Sequence, residues 1–131
     1  MTDEVNSEAR KAVALASIEA LPFVRDPTPD ELAAGQKGRI FWTAQPSGNW
    51  QADCNEGEAW ARALLDHMAE HRDRYLLGWV VRDMERGPRL SGQAVGFLAV
   101  FADMARFANM LATGKAEALL AEAKEAKGQA A

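Results

Sequence analysis

A chain of 131 residues, 48% hydrophobic and 26% charged, is long enough for one domain around a single core and has the composition of a soluble globular protein. The net charge of −4 argues against a nucleic-acid binder, and the most basic run, His71-Arg72-Asp73-Arg74, is interrupted by an acid. A single cysteine, Cys54, excludes an intramolecular disulfide and a thiolate-cluster zinc site.

Ser7 to Ala20 reads as a first helix, with Ala9, Ala12, Val13, Ala16 and Ala20 on one side, Ser7 as its cap and Pro22 as its stop. A short second helix follows. Thr28 caps it, Pro29 suits the first helical position, Glu31 completes a capping box and Gly35 suits the position after the last turn. Residues 38–54 change character and predict a small β-hairpin or an ordered loop. Arg39-Ile40-Phe41-Trp42-Thr43 is β-branched and aromatic, Gln45 to Asn49 is turn chemistry, and Trp50-Gln51-Ala52-Asp53 reads as a returning strand. Two strands alone are marginal, so this unit has to lie on the helices. Asn55, with Glu58 three residues later, reads as the cap of a helix whose stripe is Trp60, Leu64 and Met68. The apolar face shifts after Asp73, which predicts a break there with Asp73 as a new cap. The helix that follows runs through Met84 and stops at Gly87-Pro88.

Ser91 then caps the most apolar segment of the chain, which Gly114 ends. Asp103, Arg106 and Asn109 form one narrow polar stripe and the remaining girth is apolar, so other elements or a second copy of the chain must wrap it. Gly96 reads as a place where another helix passes close. With Asp103 and Arg106 at its middle, the uninterrupted apolar runs fall short of the ~20 residues of a membrane span. Lys115 to Ala131 is Ala, Glu and Lys with Leu119 and Leu120 to bury, a helix docked by about one turn, and residues 1–6 and 126–131 are expected to fray. The fold class expected is mainly α, a single domain over residues 1–131 with four to five helices around a central apolar helix at 91–113.

All four tryptophans fall between the 38–54 segment and the middle helices. Trp42, Trp50 and Trp60 can line an aromatic ligand pocket with Arg39 and Tyr75 as polar contacts, or they can anchor a loop-rich region to the helices. His67-Met68-Ala69-Glu70-His71 spells H-x-x-E-H and over these five residues resembles the zinc motif of the inverzincin metallopeptidases. The resemblance implies His67 and His71 as ligands of a divalent metal such as zinc, and Glu70 as the carboxylate that activates bound water. No spacing picks out the further glutamate ligand that family uses, and two half-buried histidines beside Trp60 and Leu64 account for the same pattern. No other cofactor is expected. Cys54 and the histidines lie on the order of 17 Å apart along a helix at about 1.5 Å per residue, so they form no Cys–His nucleophile.

Without a convincing catalytic set, the expected function is that of a small interaction or regulatory protein that binds another protein or its own copy. The expected interface is Phe97, Phe101, Met104 and Ala108. The alternative is a small-molecule or metal-binding protein, with a hydrolytic enzyme among its forms, that uses the Trp-rich region with His67, Glu70 and His71. Neither reading involves nucleic acid or membrane. The acidic start, Met1-Thr2-Asp3-Glu4, lacks the pattern of a secretory signal, and with a lone thiol it gives a cytoplasmic expectation.

Overall fold

The computed structural model describes Glu8, residues 18–87 and residues 89–130. These hold five helices and no strand: α1 (Pro29–Ala33), α2 (Trp50–His71), α3 (Leu76–Glu85), α4 (Gly92–Ala112) and α5 (Ala116–Ala130). The protein is mainly helical, as its patterning predicts. Of the expected first helix, Ser7 to Ala20, only Glu8 and the end from Ile18 onward are described, and the rest lies outside the described residues.

Local chemistry sets most of the helix ends. Thr28 Oγ1 accepts from Glu31 N and the Glu31 carboxylate accepts from Thr28 N, which closes the capping box of α1. Arg72 adopts the left-handed conformation after α2, and Asp73 Oδ1 accepts from Tyr75 N and Leu76 N at 3.1 and 3.2 Å; the chain breaks there as expected, but α3 starts at Leu76 with Tyr75, not Asp73, in the cap position. Ser91 Oγ accepts from Ala94 N at 3.1 Å to start α4, and Gly114 leaves it with φ of +75°.

The segment from Gly38 is an ordered loop, and the returning strand expected at Trp50 to Asp53 does not form. Those residues are the first turn of α2, which Asn49 caps by accepting from Ala52 N at 3.1 Å. Asn55 is not the cap. It sits inside the helix and accepts from Gln51 Nε2 at 3.0 Å. The β-like residues do pair, but with a distant partner: Arg25 and Ile40 form an isolated antiparallel bridge, and Thr43 N donates to Phe23 O at 2.8 Å. Three buried polar side chains then pin the loop to the helices. Asp83 accepts from Phe41 N at 2.8 Å, Gln93 Nε2 donates to Gln45 O at 3.0 Å, and Asp53 accepts from Ser47 N and Oγ. The two carboxylates and the Gln93 amide nitrogen are hydrogen-bonded, while the buried Gln93 Oε1 has no partner among the described residues; each bond fixes a loop position that no ladder would hold.

The core joins Phe23 to Ala61 and Leu64 of α2, to Leu76, Val80 and Met84 of α3, and to Ala94 and Phe97 of α4. Phe23 is fully buried, with Trp42, Trp60 and Phe97 at ring-centroid distances of 5.6, 5.8 and 5.7 Å. Burying side chains of this size stabilises by about 2–3 kcal/mol each. Helices α2 and α4 cross at glycines, where a Cβ on Gly57 would overlap the carbonyl oxygen of Gln93 and one on Gly96 that of Cys54. The close passage expected at Gly96 is therefore with α2.

Phe97 is a correction to the expected interface. It is fully buried inside the chain and cannot belong to a surface shared with a partner. Only the first turns of α4 are buried, through Gly92, Gln93, Ala94, Gly96 and Phe97.

Candidate functional site

A groove of about 900 Å³ opens between the loop and the junction of α3 with α4. Its apolar lining is Ile40, Trp42, Trp50, Met84 and Leu90, and its charged lining is Arg25, Glu31, Asp53, Asp83, Arg86 and Arg89. The three acids are engaged. Arg25 grips Glu31 with two parallel bonds, Nη1 to Oε1 at 2.6 Å and Nη2 to Oε2 at 3.0 Å, and its Nε donates to Thr43 Oγ1. The Arg25 fork and the Thr28 N–H hold the Glu31 carboxyl down at about 2, and the same fork raises the already high Arg25 value. Asp53 is taken by Ser47. Asp83 accepts from Phe41 N, pairs with Arg82 at 3.1 Å, and has Arg86 3.5 Å away. Arg89 forms no ion pair among the described residues.

Two helix starts meet at this groove. A Cβ on Gly92 would stand 2.8 Å from Asp53 Cβ and 3.2 Å from Trp50 O, so the first turns of α2 and α4 lie against each other. Their partial positive ends converge there, and Asp53 in the first turn of α2 is the acid placed between them.

The structure brings together some of the residues singled out by sequence and separates others. Trp42 and Trp50 both line the groove, and Trp50 keeps 59% of its surface exposed. Trp60 is packed edge-on to Trp42 in the aromatic core and does not line it. Arg39 is tied to Glu19 at 3.0 Å and Asp26 at 3.3 Å and borders a second cleft with Phe41 and Trp79. Tyr75 is exposed at the start of α3, away from both. Arg25, Arg86 and Arg89 are the groove residues that sequence reasoning misses. The only signal for two of them is the sequence Arg86-Gly87-Pro88-Arg89, which reads simply as a stop.

His67 is buried and His71 nearly so, with their rings 4.6 Å apart at 45°. Burial, and then the neighbouring His71, push His67 below the usual histidine value, against an opposing pull from Asp73 and Glu70. Glu70 projects outward, 3.9 Å from His71 Nε2. Among the described residues no three His, Cys, Asp or Glu side chains converge as a metal-holding group.

Beyond Phe101, α4 emerges from the core. Met104, Phe107 and Leu111 repeat at helical spacing with 48%, 37% and 59% of their surface exposed. Ala108 is exposed beside them, while Phe101 is half-buried against Phe97. Helix α5 touches this half through the Arg106–Glu122 ion pair, and the Arg106 guanidinium also sits over the Phe107 ring. Among the described residues, α4 is the one helix long and apolar enough to cross a membrane by length and composition. No protein-family model, curated protein or solved structure matches the chain.

Proposed function

We propose that the protein is a self-associating interaction protein that works by binding rather than by catalysis, and that the C-terminal half of α4 is its contact surface. The observation that carries this reading is the exposed stripe of Met104, Phe107 and Leu111 on the most apolar helix of the chain. Apolar side chains in line on one helix face are what a helix–helix interface requires. The flanking charges favour a second copy as the occupant. Two copies meeting about a two-fold axis with their α4 helices antiparallel lay the stripe against itself and set Asp103 of each copy toward Arg106 of the other, beside the Glu122 that Arg106 already holds. The same two charges make the exposed half a poor match for lipid.

Met104→Glu tests the reading. Burying half of a methionine side chain is worth on the order of 1 kcal/mol, counted twice across a two-fold axis, so dimer dissociation should rise more than tenfold. By sedimentation equilibrium over about 1–100 μM, the wild type is expected to form a micromolar dimer, and the variant to need more than ten times the concentration for the same dimer fraction while keeping the helical content of the wild type. A wild type monomeric throughout that range, a variant with an unchanged dissociation constant, or a monomer that co-sediments with lipid vesicles would each end the proposal.

A further inference from the structure

We propose that the groove between the loop and the α3–α4 junction is a binding site for a small organic anion with a flat apolar body. The inference is independent of self-association, because its residues lie at the opposite end of α4 from the exposed stripe.

Four observations converge. The space, about 900 Å³, is within the size of small-molecule sites, and its lining combines two indoles, Trp42 and Trp50, with aliphatic side chains. Trp50 is more than half exposed, whereas Trp42, the other indole of the lining, packs against the core. An indole held open on a helix's first turn is a flat stacking platform for a planar ligand.

The charge balance selects the ligand's sign. Counted formally the lining is neutral, but Glu31 is paired with Arg25, and Asp83 is paired with Arg82, which lies outside the lining, while Asp53 keeps its charge at the two helix starts and accepts from Ser47. Arg89 carries no counter-charge among the described residues, and Arg86 reaches Asp83 only at 3.5 Å while remaining largely exposed. Arg89, and Arg86 with the donors that Asp83 leaves, therefore edge the cavity, while Asp53 already answers the two helix starts that converge there. Such an edge recognises a carboxylate or a phosphate ester, with the apolar part of the molecule lying on Trp50 and Ile40.

The test uses two probes that differ in one respect, 2-naphthoate and its neutral analogue 2-naphthalenemethanol, titrated into the full chain by calorimetry. Saturable one-to-one binding of 2-naphthoate is expected. Arg89→Gln should weaken it about tenfold, as the loss of a charge-assisted contact does, and leave the neutral probe unchanged. Trp50→Ala should weaken both probes alike. Both positions are exposed, so equal melting temperatures are expected and serve as the folding control. Phe107→Ser, on the far half of α4, should change neither titration. Absence of saturable 2-naphthoate binding, equal affinity in Arg89→Gln, or loss of binding in Phe107→Ser would overturn the proposal. The last result would place the probe on the exposed helix stripe instead.

Discussion

Replacing a helix-interior glycine by alanine in open surroundings stabilises by about 1 kcal/mol, because it removes backbone freedom from the unfolded chain. Gly57→Ala is expected to do the opposite. The new methyl would overlap the Gln93 carbonyl oxygen, with the carbonyl carbon at 2.6 Å and Cα at 2.8 Å. All three are backbone atoms of α4, so no rotamer change relieves the contact. Carbon–carbon contacts settle near 3.5–4.0 Å, so α2 and α4 must part by roughly 1 Å, a gap that forfeits a quarter to a half of each dispersion contact across the crossing. Overpacking of this kind costs about 1–3 kcal/mol, and backbone meeting backbone puts Gly57 at the upper end, for a net loss of about 2 kcal/mol after the helix gain. For a chain of this size that lowers the melting temperature by about 5–10 °C. Gly96→Ala, which meets the Cys54 carbonyl group in the same way, should behave alike. Gly78 of α3 has nothing within 4 Å of its virtual Cβ, so Gly78→Ala should raise the melting temperature by a few degrees. Circular-dichroism melts of the three variants decide the matter. A Gly57→Ala protein that melts at or above the wild type, or a Gly78→Ala protein that falls with it, would refute the close-crossing argument.

Two further outcomes concern the polar groups that build the groove. The Glu31 carboxyl titrates at about 2 in the folded chain against an ordinary 4.5, so its contribution is fully present above 4.5 and is lost as the pH falls toward 2. Melting curves of wild type and Glu31→Gln should therefore differ by a constant amount near neutrality and converge through that acid window; a difference that persists undiminished at its lower end would remove Glu31 from the account. Asp83→Ala leaves the Phe41 N–H without its acceptor, which costs about 1–3 kcal/mol and frees the loop from α3. Amide exchange at Phe41 should accelerate in step with the loss of stability, and Asp83→Asn, which keeps an acceptor oxygen, should lie between. Unaltered exchange at Phe41 in the alanine variant would show that the loop is held by other contacts.

What was legible in the sequence is what neighbouring residues decide. The capping box at Thr28, the break at Asp73, the Ser91 cap and the Gly114 exit each depend on atoms within four residues and each appears as read, although the helix after the break takes Tyr75 and not Asp73 as its cap. The start of α2 depends on more. Asn49 and Asn55 are both acceptable caps, and the choice falls to Asn49 because Ser47 holds Asp53 in the first turn and α4 lies against that turn. The strand-like residues Arg39 to Thr43 carry a real pairing tendency, but their partner is Phe23 to Arg25, across the intervening α1, and no short-range pattern names it. Gly57 stands out as little as any surface residue, between Glu56 and Glu58, until the backbone of Gln93 is beside it. The groove is illegible for the same reason: Arg25, Arg86 and Arg89 are brought to one rim only by the loop's three buried anchors.

The division of α4 ties these observations together. Its first turns carry glycine and alanine because α2 passes at backbone distance, and Gln93 and Phe97 are the large side chains that half buries fully. Past Phe101 the helix has left α2 behind, yet its composition does not become polar: Met104, Phe107 and Leu111 continue the apolar pattern and stay exposed, with the Arg106–Glu122 contact of α5 beside them. Folding does not need those residues, since exposed positions of this kind contribute within about 0.5 kcal/mol. Association and folding therefore use separate halves of one helix. Substitutions at the glycine crossing and on the exposed stripe should add independently in the monomer, while only those on the stripe alter the mass of the particle.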